Sequence, residues 1–161
     1  MSQIPPDVKI GHVHLTVSDL TKSLQFYHDV LGFQVTTNYG DEAVFLSAGG
    51  YHHHIGLNTW AGVGASPPPE GHTGLYHFAI LFPTRKDLAL ALKRVQDAGY
   101  PILGASDHGV SEAVYLKDPD GIGVELYWDR SKEEWRKKDD GTVEMMTIKL
   151  NLEELLSELQ R

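Results

Sequence analysis

HVHLTVSD at residues 12–19 returns later in the chain as HFAILFPT at residues 77–84. A recurrence of this kind settles the architecture before any single element does. Each copy is followed by a helix-like stretch that stops at a glycine, Gly32 in the first half and Gly99 in the second. Each then reaches a matching apolar run, AVFL at 43–46 and AVYL at 113–116. The spacing between matched anchors widens slightly along the chain, as small loop insertions would make it. Both halves therefore read as strand, helix and three strands.

The local chemistry agrees with that division. In the first strand Val13, Leu15 and Val17 alternate with His12, His14 and Thr16, so one face is apolar and the other polar. Asp19 is placed to cap the first helix, whose stripe is Leu20, Leu24, Tyr27 and Leu31. In the second half Thr84 caps, Asp87 stands at the third helical position, and Leu88, Leu92 and Val95 form the stripe. DPDG at 118–121 is a turn between two strands. GASPPPEGHTG at 64–74 is a Pro/Gly-rich connector. NLEELLSELQR, from 151 to the last residue, has Asn151 as cap and an apolar stripe of Leu152, Leu155, Leu156 and Leu159, which predicts a helix over about 152–160. That helix is expected to pack on the body or on a partner and to carry no chemistry.

Composition narrows the function. The chain has 161 residues, 41% of them hydrophobic, which suits one domain with a real core. There is no cysteine, which excludes disulfides and thiolate metal sites and makes a reducing, cytoplasmic setting the natural expectation. The first residues, MSQIPPDVKIGH, have neither a basic region nor an apolar run, so no secretion signal is expected. No stretch approaches the roughly 18 apolar residues of a membrane span. A net charge of -8 without a basic stripe argues against nucleic acid. Histidine is over-represented, with nine copies, and it is both a common metal ligand and an acid–base group.

The histidines fall where a site is expected. With Phe78, Ile80 and Phe82 turned to the core, His77 points away from the helices, as His12 does in the first half. With Val124 and Leu126 in the core, Glu125 and Tyr127 share that open face. Two histidines and one carboxylate are the ligand set of mononuclear non-haem Fe(II) sites, which keep positions open for substrate and oxygen. The run His52-His53-His54 leads into the strand-like Ile55-Gly56-Leu57-Asn58. It is either a polar lead-in to that strand or part of a site.

The paired strand–helix–three-strand modules resemble the vicinal oxygen chelate superfamily, which includes glyoxalases, extradiol dioxygenases and antibiotic-binding proteins. The resemblance spans residues 8–130, with modules at 8–60 and 74–130, a linker at 61–73 and a C-terminal extension at 131–161. SDHGVSEAVYLKDPDGIGVE at 106–125 resembles the extradiol ring-cleavage signature through His108, Val114-Tyr115, Asp118-Pro119, Gly121 and Glu125. It departs from that signature at Ser106. GGYHHHIGLNTWAG at 49–62 and TGLYHFAIL at 73–81 look most like catechol 2,3-dioxygenases, which usually carry four modules where this chain has two. The implied fold is α+β, two βαβββ modules forming a curved mixed sheet, plus a C-terminal helix.

The resemblance implies that His12, His77 and Glu125 bind Fe(II), with Mn(II) or another divalent ion as alternatives. It implies that Tyr115 and His108 contact a substrate hydroxyl. The family's acid–base histidine precedes an apolar strand, which matches His53. Strict alternation back from Ile55 instead puts His54 on the open face, unless a bulge or loop intervenes. The implied activity is ring cleavage of a small aromatic diol with O2. The alternatives are a glyoxalase-type isomerase or lyase, with a fourth ligand from 52–54, and a metal-free antibiotic-binding protein, against which the histidines and Glu125 argue. Trp60 is expected either in the pocket or in the core. A homodimer is expected, because the connector is long enough for modules of two chains to share sites.

Overall fold

The computed structural model of the chain describes residues 3–161. It contains two compact units, one ending at Ser66 and the other running from Pro67 to Arg161. Each is a mixed sheet with helices, and together they carry the two βαβββ modules that the repeat requires.

In the first unit the order is β1 (Val13–Thr16), α1 (Leu20–Leu24), β2 (Gln34–Tyr39), β3 (Ala43–Ser47) and β4 (Ile55–Asn58). The sheet order is β1-β4-β3-β2. β1 runs parallel to β4, and the other two pairings are antiparallel. Leu15, Val17, Val44, Leu46, Ile55 and Leu57 are buried, so the apolar residues of β1, β3 and β4 face the core, whereas β2 is exposed along its length. Asp19 accepts a hydrogen bond from the Lys22 amide at 3.1 Å, which caps α1 as its position suggests.

The first helix differs from the expected single stripe. After Leu24 the chain winds as a π-helix over Gln25–Val30. The wider turn brings Phe26 and Tyr27, adjacent in sequence, both into the core with no exposure, while Leu20 and Leu24 are only partly covered. Periodicity of 3.6 cannot anticipate that shift of register. Gly32 then ends the segment at φ 91°, a conformation costly for any residue with a Cβ.

In the second unit β5 (Phe78–Leu81) leads into α2 (Arg85–Asp97), β6 (Gly104–Asp107), β7 (Ser111–Lys117) and β8 (Gly123–Asp129). A short strand β9 (Ile148–Lys149) and the helix α3 (Leu152–Ser157) follow. The sheet order is β5-β8-β7-β6-β9, with β5 parallel to β8 and the rest antiparallel. The Thr84 hydroxyl accepts from the Asp87 amide at 3.1 Å, and Leu88, Leu92 and Val95 of α2 are fully buried. Asn151 caps α3 through the amides of Glu153 and Glu154, and a 3-10 turn continues it over Glu158–Gln160. The C-terminal segment is thus an integral part of this unit, since β9 adds a fifth strand to the sheet and Leu155 is fully buried.

Candidate functional site

The repeat can be followed strand by strand into the site. His12 immediately precedes β1, and His77 immediately precedes β5. In the second unit Ala79 of β5 stands beside Glu125 of β8, which stands beside Tyr115 of β7. The same row in the first unit reads His14, Gly56 and Phe45. One row thus carries a carboxylate and a phenol, and its counterpart carries a glycine and a phenyl ring. The missing side chain at Gly56 has a use: a Cβ there would lie 2.8 Å from Cδ2 and 2.9 Å from Cγ of His14. The His14 ring therefore occupies the space in which a side chain equivalent to Glu125 would begin.

In the second unit four side chains meet. His77 Nε2 lies 2.9 Å from Glu125 Oε2. The Tyr115 hydroxyl lies 2.7 Å from His108 Nε2 and 3.5 Å from Glu125 Oε1. The His77 and Tyr115 rings are 5.9 Å apart, centre to centre. Burial and the neighbouring Glu125 carboxylate push the Tyr115 phenol up to about 12, so it remains a neutral hydroxyl through the working pH range. Backbone placement is tight here. A Cβ on Gly123, the first residue of β8, would run into the Tyr76 carbonyl and the His77 Cβ. Gly123 thereby lets the chain around His77 lie against the strand that carries Glu125. Asp118 closes the preceding turn by accepting from the amides of Asp120 and Ile122 at 2.9 and 2.8 Å, with Gly121 at φ 80°.

This pair offers two donors of the kinds that divalent cations take. An imidazole nitrogen and a carboxylate oxygen converge at hydrogen-bond distance, and a cation takes both in their deprotonated forms in place of the shared proton. Within neither unit, among the described residues, are three or more His, Asp or Glu side chains gathered to hold a metal ion.

In the first unit His53 and His54 separate. Residues 51–54 are not strand, and β4 begins at Ile55, so alternation does not extend back to them. The His53 ring lies 4.4 Å from that of His12 and 5.0 Å from Phe45, which belongs to the open face. Its Nδ1 is 2.7 Å from His52 Nδ1, so one of these two nitrogens carries the shared proton. Partial desolvation, then the nearby His12 and His52, hold the His53 imidazole below its ordinary pKa. His54 is turned elsewhere. Its Nδ1 accepts from the Ala48 amide at 3.3 Å and meets Ser47 Oγ at 3.2 Å, with the tilted Tyr51 ring 4.8 Å away. Trp60 is 57% exposed with its ring 5.2 Å from His14, so of its two expected places it is not in the core.

Two groups at the site were not visible as candidates. The phase that puts His14 on the face of His12 is readable, but its seat over Gly56 requires the strand register. The Met146 carbonyl, which accepts from His108 Nδ1 at 2.8 Å, is main chain and leaves no mark in residue type.

Residues 9–126 match the family model described as Glyoxalase/Bleomycin resistance protein/Dioxygenase superfamily, and the chain belongs to that family. It is 44% identical over 160 residues to a catechol-2,3-dioxygenase of Bacillus subtilis (strain 168), covering 98% of this chain and 54% of that protein. It is 34% identical over 122 residues to biphenyl-2,3-diol 1,2-dioxygenase 3 of Rhodococcus globerulus, covering 75% of this chain and 63% of that protein. The chain thus spans between half and two thirds of these relatives. Among solved structures, a glyoxalase/dioxygenase from Nostoc punctiforme matches with a TM-score of 0.65 at 21% identity, covering 81% of this chain and 99% of that one, which supports the fold.

Proposed function

We propose that the chain is an Fe(II)-dependent extradiol dioxygenase that opens the ring of a small aromatic diol with O2. The observation that carries this reading is the contact series His77, Glu125, Tyr115 and His108 on one sheet face, a metal-type donor pair beside two hydroxyl-binding groups. His12, His77 and Glu125 would hold the ion, and Mn(II) or another divalent ion would suit the same donors. When bound, it would supply positive charge that lowers the pKa of a coordinated hydroxyl and open positions for diol and oxygen.

The chain's own groups supply the rest. Tyr115 and His108 bind and orient a diol hydroxyl. His53, neutral at working pH because its pKa is depressed, takes a proton from the diol and returns it as the ring opens. His54 is the weaker choice, because its Nδ1 is engaged by the Ala48 amide. The substrate and O2 are the partners of this reading, in a homodimer within a cytoplasmic setting. Among the described residues no helix is long and apolar enough to cross a membrane. The breadth of the family favours a second reading, a glyoxalase-type isomerase with a fourth ligand from residues 52–54.

The test is metal stoichiometry after anaerobic purification. One iron per chain is expected in the parent protein, and it is lost in His77→Ala and Glu125→Gln. Full retention in both variants would overturn the ligand assignment.

A further inference from the structure

We propose that the main-chain carbonyl of Met146, in the C-terminal extension, is a positioning group for the site. It fixes the tautomer of His108 and, through it, the direction of the Tyr115 hydroxyl. The inference rests on the reading of His108 and Tyr115 as diol contacts, and it assigns to the C-terminal extension a chemical part that its Leu-rich sequence gives no reason to expect.

Two bonds run between the same pair of residues in opposite senses. The Met146 amide donates to the His108 carbonyl at 3.1 Å, and His108 Nδ1 lies 2.8 Å from the Met146 carbonyl. A carbonyl oxygen only accepts, so Nδ1 must carry the proton, and in the neutral imidazole Nε2 is then a bare acceptor. The group facing Nε2 is the Tyr115 hydroxyl at 2.7 Å. Tyr115 has one proton, and the short bond to His108 takes it in preference to Glu125 at 3.5 Å. The phenol oxygen is left with its lone pairs directed away from His108. In that state it accepts a hydrogen bond from a diol hydroxyl. With the opposite tautomer Nε2 would be a donor, and the phenol proton would turn toward Glu125.

The carbonyl is held firmly enough for this task. β9 pairs with β6 just beyond it, Asp107 with Ile148 and Ser106 with Lys149. The Leu150 amide donates to the Ala105 carbonyl at 3.2 Å. Leu155 is fully buried, and Arg85 of α2 binds Glu154 and Glu158 at 3.3 and 2.7 Å, which ties the following helix to the module. On the near side Gly109, at φ 77°, leaves room for Met146, since a Cβ there would lie 3.2 Å from its Cε and 3.3 Å from its Cγ.

The test reads the ring nitrogens of the full-length protein labelled with 15N-histidine and free of paramagnetic ions. The measurement is made near pH 8, roughly 1.5 units above the ordinary imidazole pKa. The expected result is a protonated Nδ1 and an unprotonated Nε2 for His108, its signals assigned by their absence in His108→Asn. Met146→Pro removes the amide bond to His108 and is expected to mix the tautomers and to lower kcat on catechol by roughly 10–100-fold, the usual effect of losing an orienting partner. Met146→Leu, which keeps the main chain, is expected to keep the His108 tautomer. A His108 protonated on Nε2 in the parent protein would overturn the proposal, and so would unaltered signals in a Met146→Pro protein that retains its far-UV spectrum. Should that variant fail to fold, the parent signals and those of Gly109→Ala decide in the same way. The nitrogen signals need no turnover, so a chain without ring-cleaving activity would leave this inference standing or fallen on its own evidence.

Discussion

His53 and His54 are neighbours, yet their surroundings differ. His53 faces His12 and Phe45, whereas His54 is bound to the Ala48 amide. His53→Ala is therefore predicted to keep the metal and to slow ring opening by roughly 10²–10⁴-fold. His54→Ala should do much less, and the reverse pattern in single-turnover kinetics would exchange the two roles. The pH dependence follows from the sign of the shift. Because the His53 pKa lies below the ordinary 6.5, its base form persists to lower pH. The acid limb of kcat/KM should fall below pH 6.5, and a limb centred above that value would contradict a base at His53. Tyr115, raised to about 12, should contribute no alkaline limb below that pH. The repeat and the strand phase pointed to His12, His77 and Glu125, whereas Tyr115 and His108 were suggested only by the resemblance of residues 106–125 to the ring-cleavage signature. The choice between His53 and His54 was not legible, since parity fails where the chain leaves the strand.

Among the elements, strand β7 carries the charge that joins the second unit to its C-terminal extension. Glu112, 4% exposed, accepts from Arg85 Nε at 2.8 Å and from Arg130 Nη2 at 2.9 Å. Arg85 also binds Glu154 and Glu158, and Arg130 also binds Asp107 at 2.7 Å. Removing the central carboxylate leaves two guanidinium groups short of a partner. Glu112→Ala is predicted to destabilise the protein by roughly 3 kcal/mol, the low end for breaking a buried pair because each arginine keeps a second carboxylate. Urea unfolding measures this, and a change below about 1 kcal/mol would show that the network contributes little. Caps and turns were legible at this scale because Asp19, Thr84, Asn151 and the DPDG turn act through local hydrogen bonds. The π-helix at Gln25–Val30 and the pairing of β9 with β6 were not, because both are decided by packing between distant segments.

For the molecule as a whole, the two-module plan was legible because the repeat duplicates a supersecondary unit, and the two sheets follow it in strand order apart from the added β9. How many chains complete a site is a separate matter that periodicity does not address. The connector from Ala61 to Leu75 can reach up to roughly 50 Å when extended, enough for modules of two chains to pair. If sites are shared in a homodimer, inactive His12→Ala and Glu125→Gln chains refolded together should recover part of the parent activity. Dimers without recovery would place each site within one chain. The measurement that bears most directly on the central claim is oxygen uptake by the anaerobically Fe(II)-loaded chain on addition of catechol. The account predicts one O2 consumed per diol, with formation of the ring-opened product, and loss of both in Glu125→Gln. A protein that holds one iron per chain yet consumes no oxygen with catechol or its ring-substituted forms would contradict it.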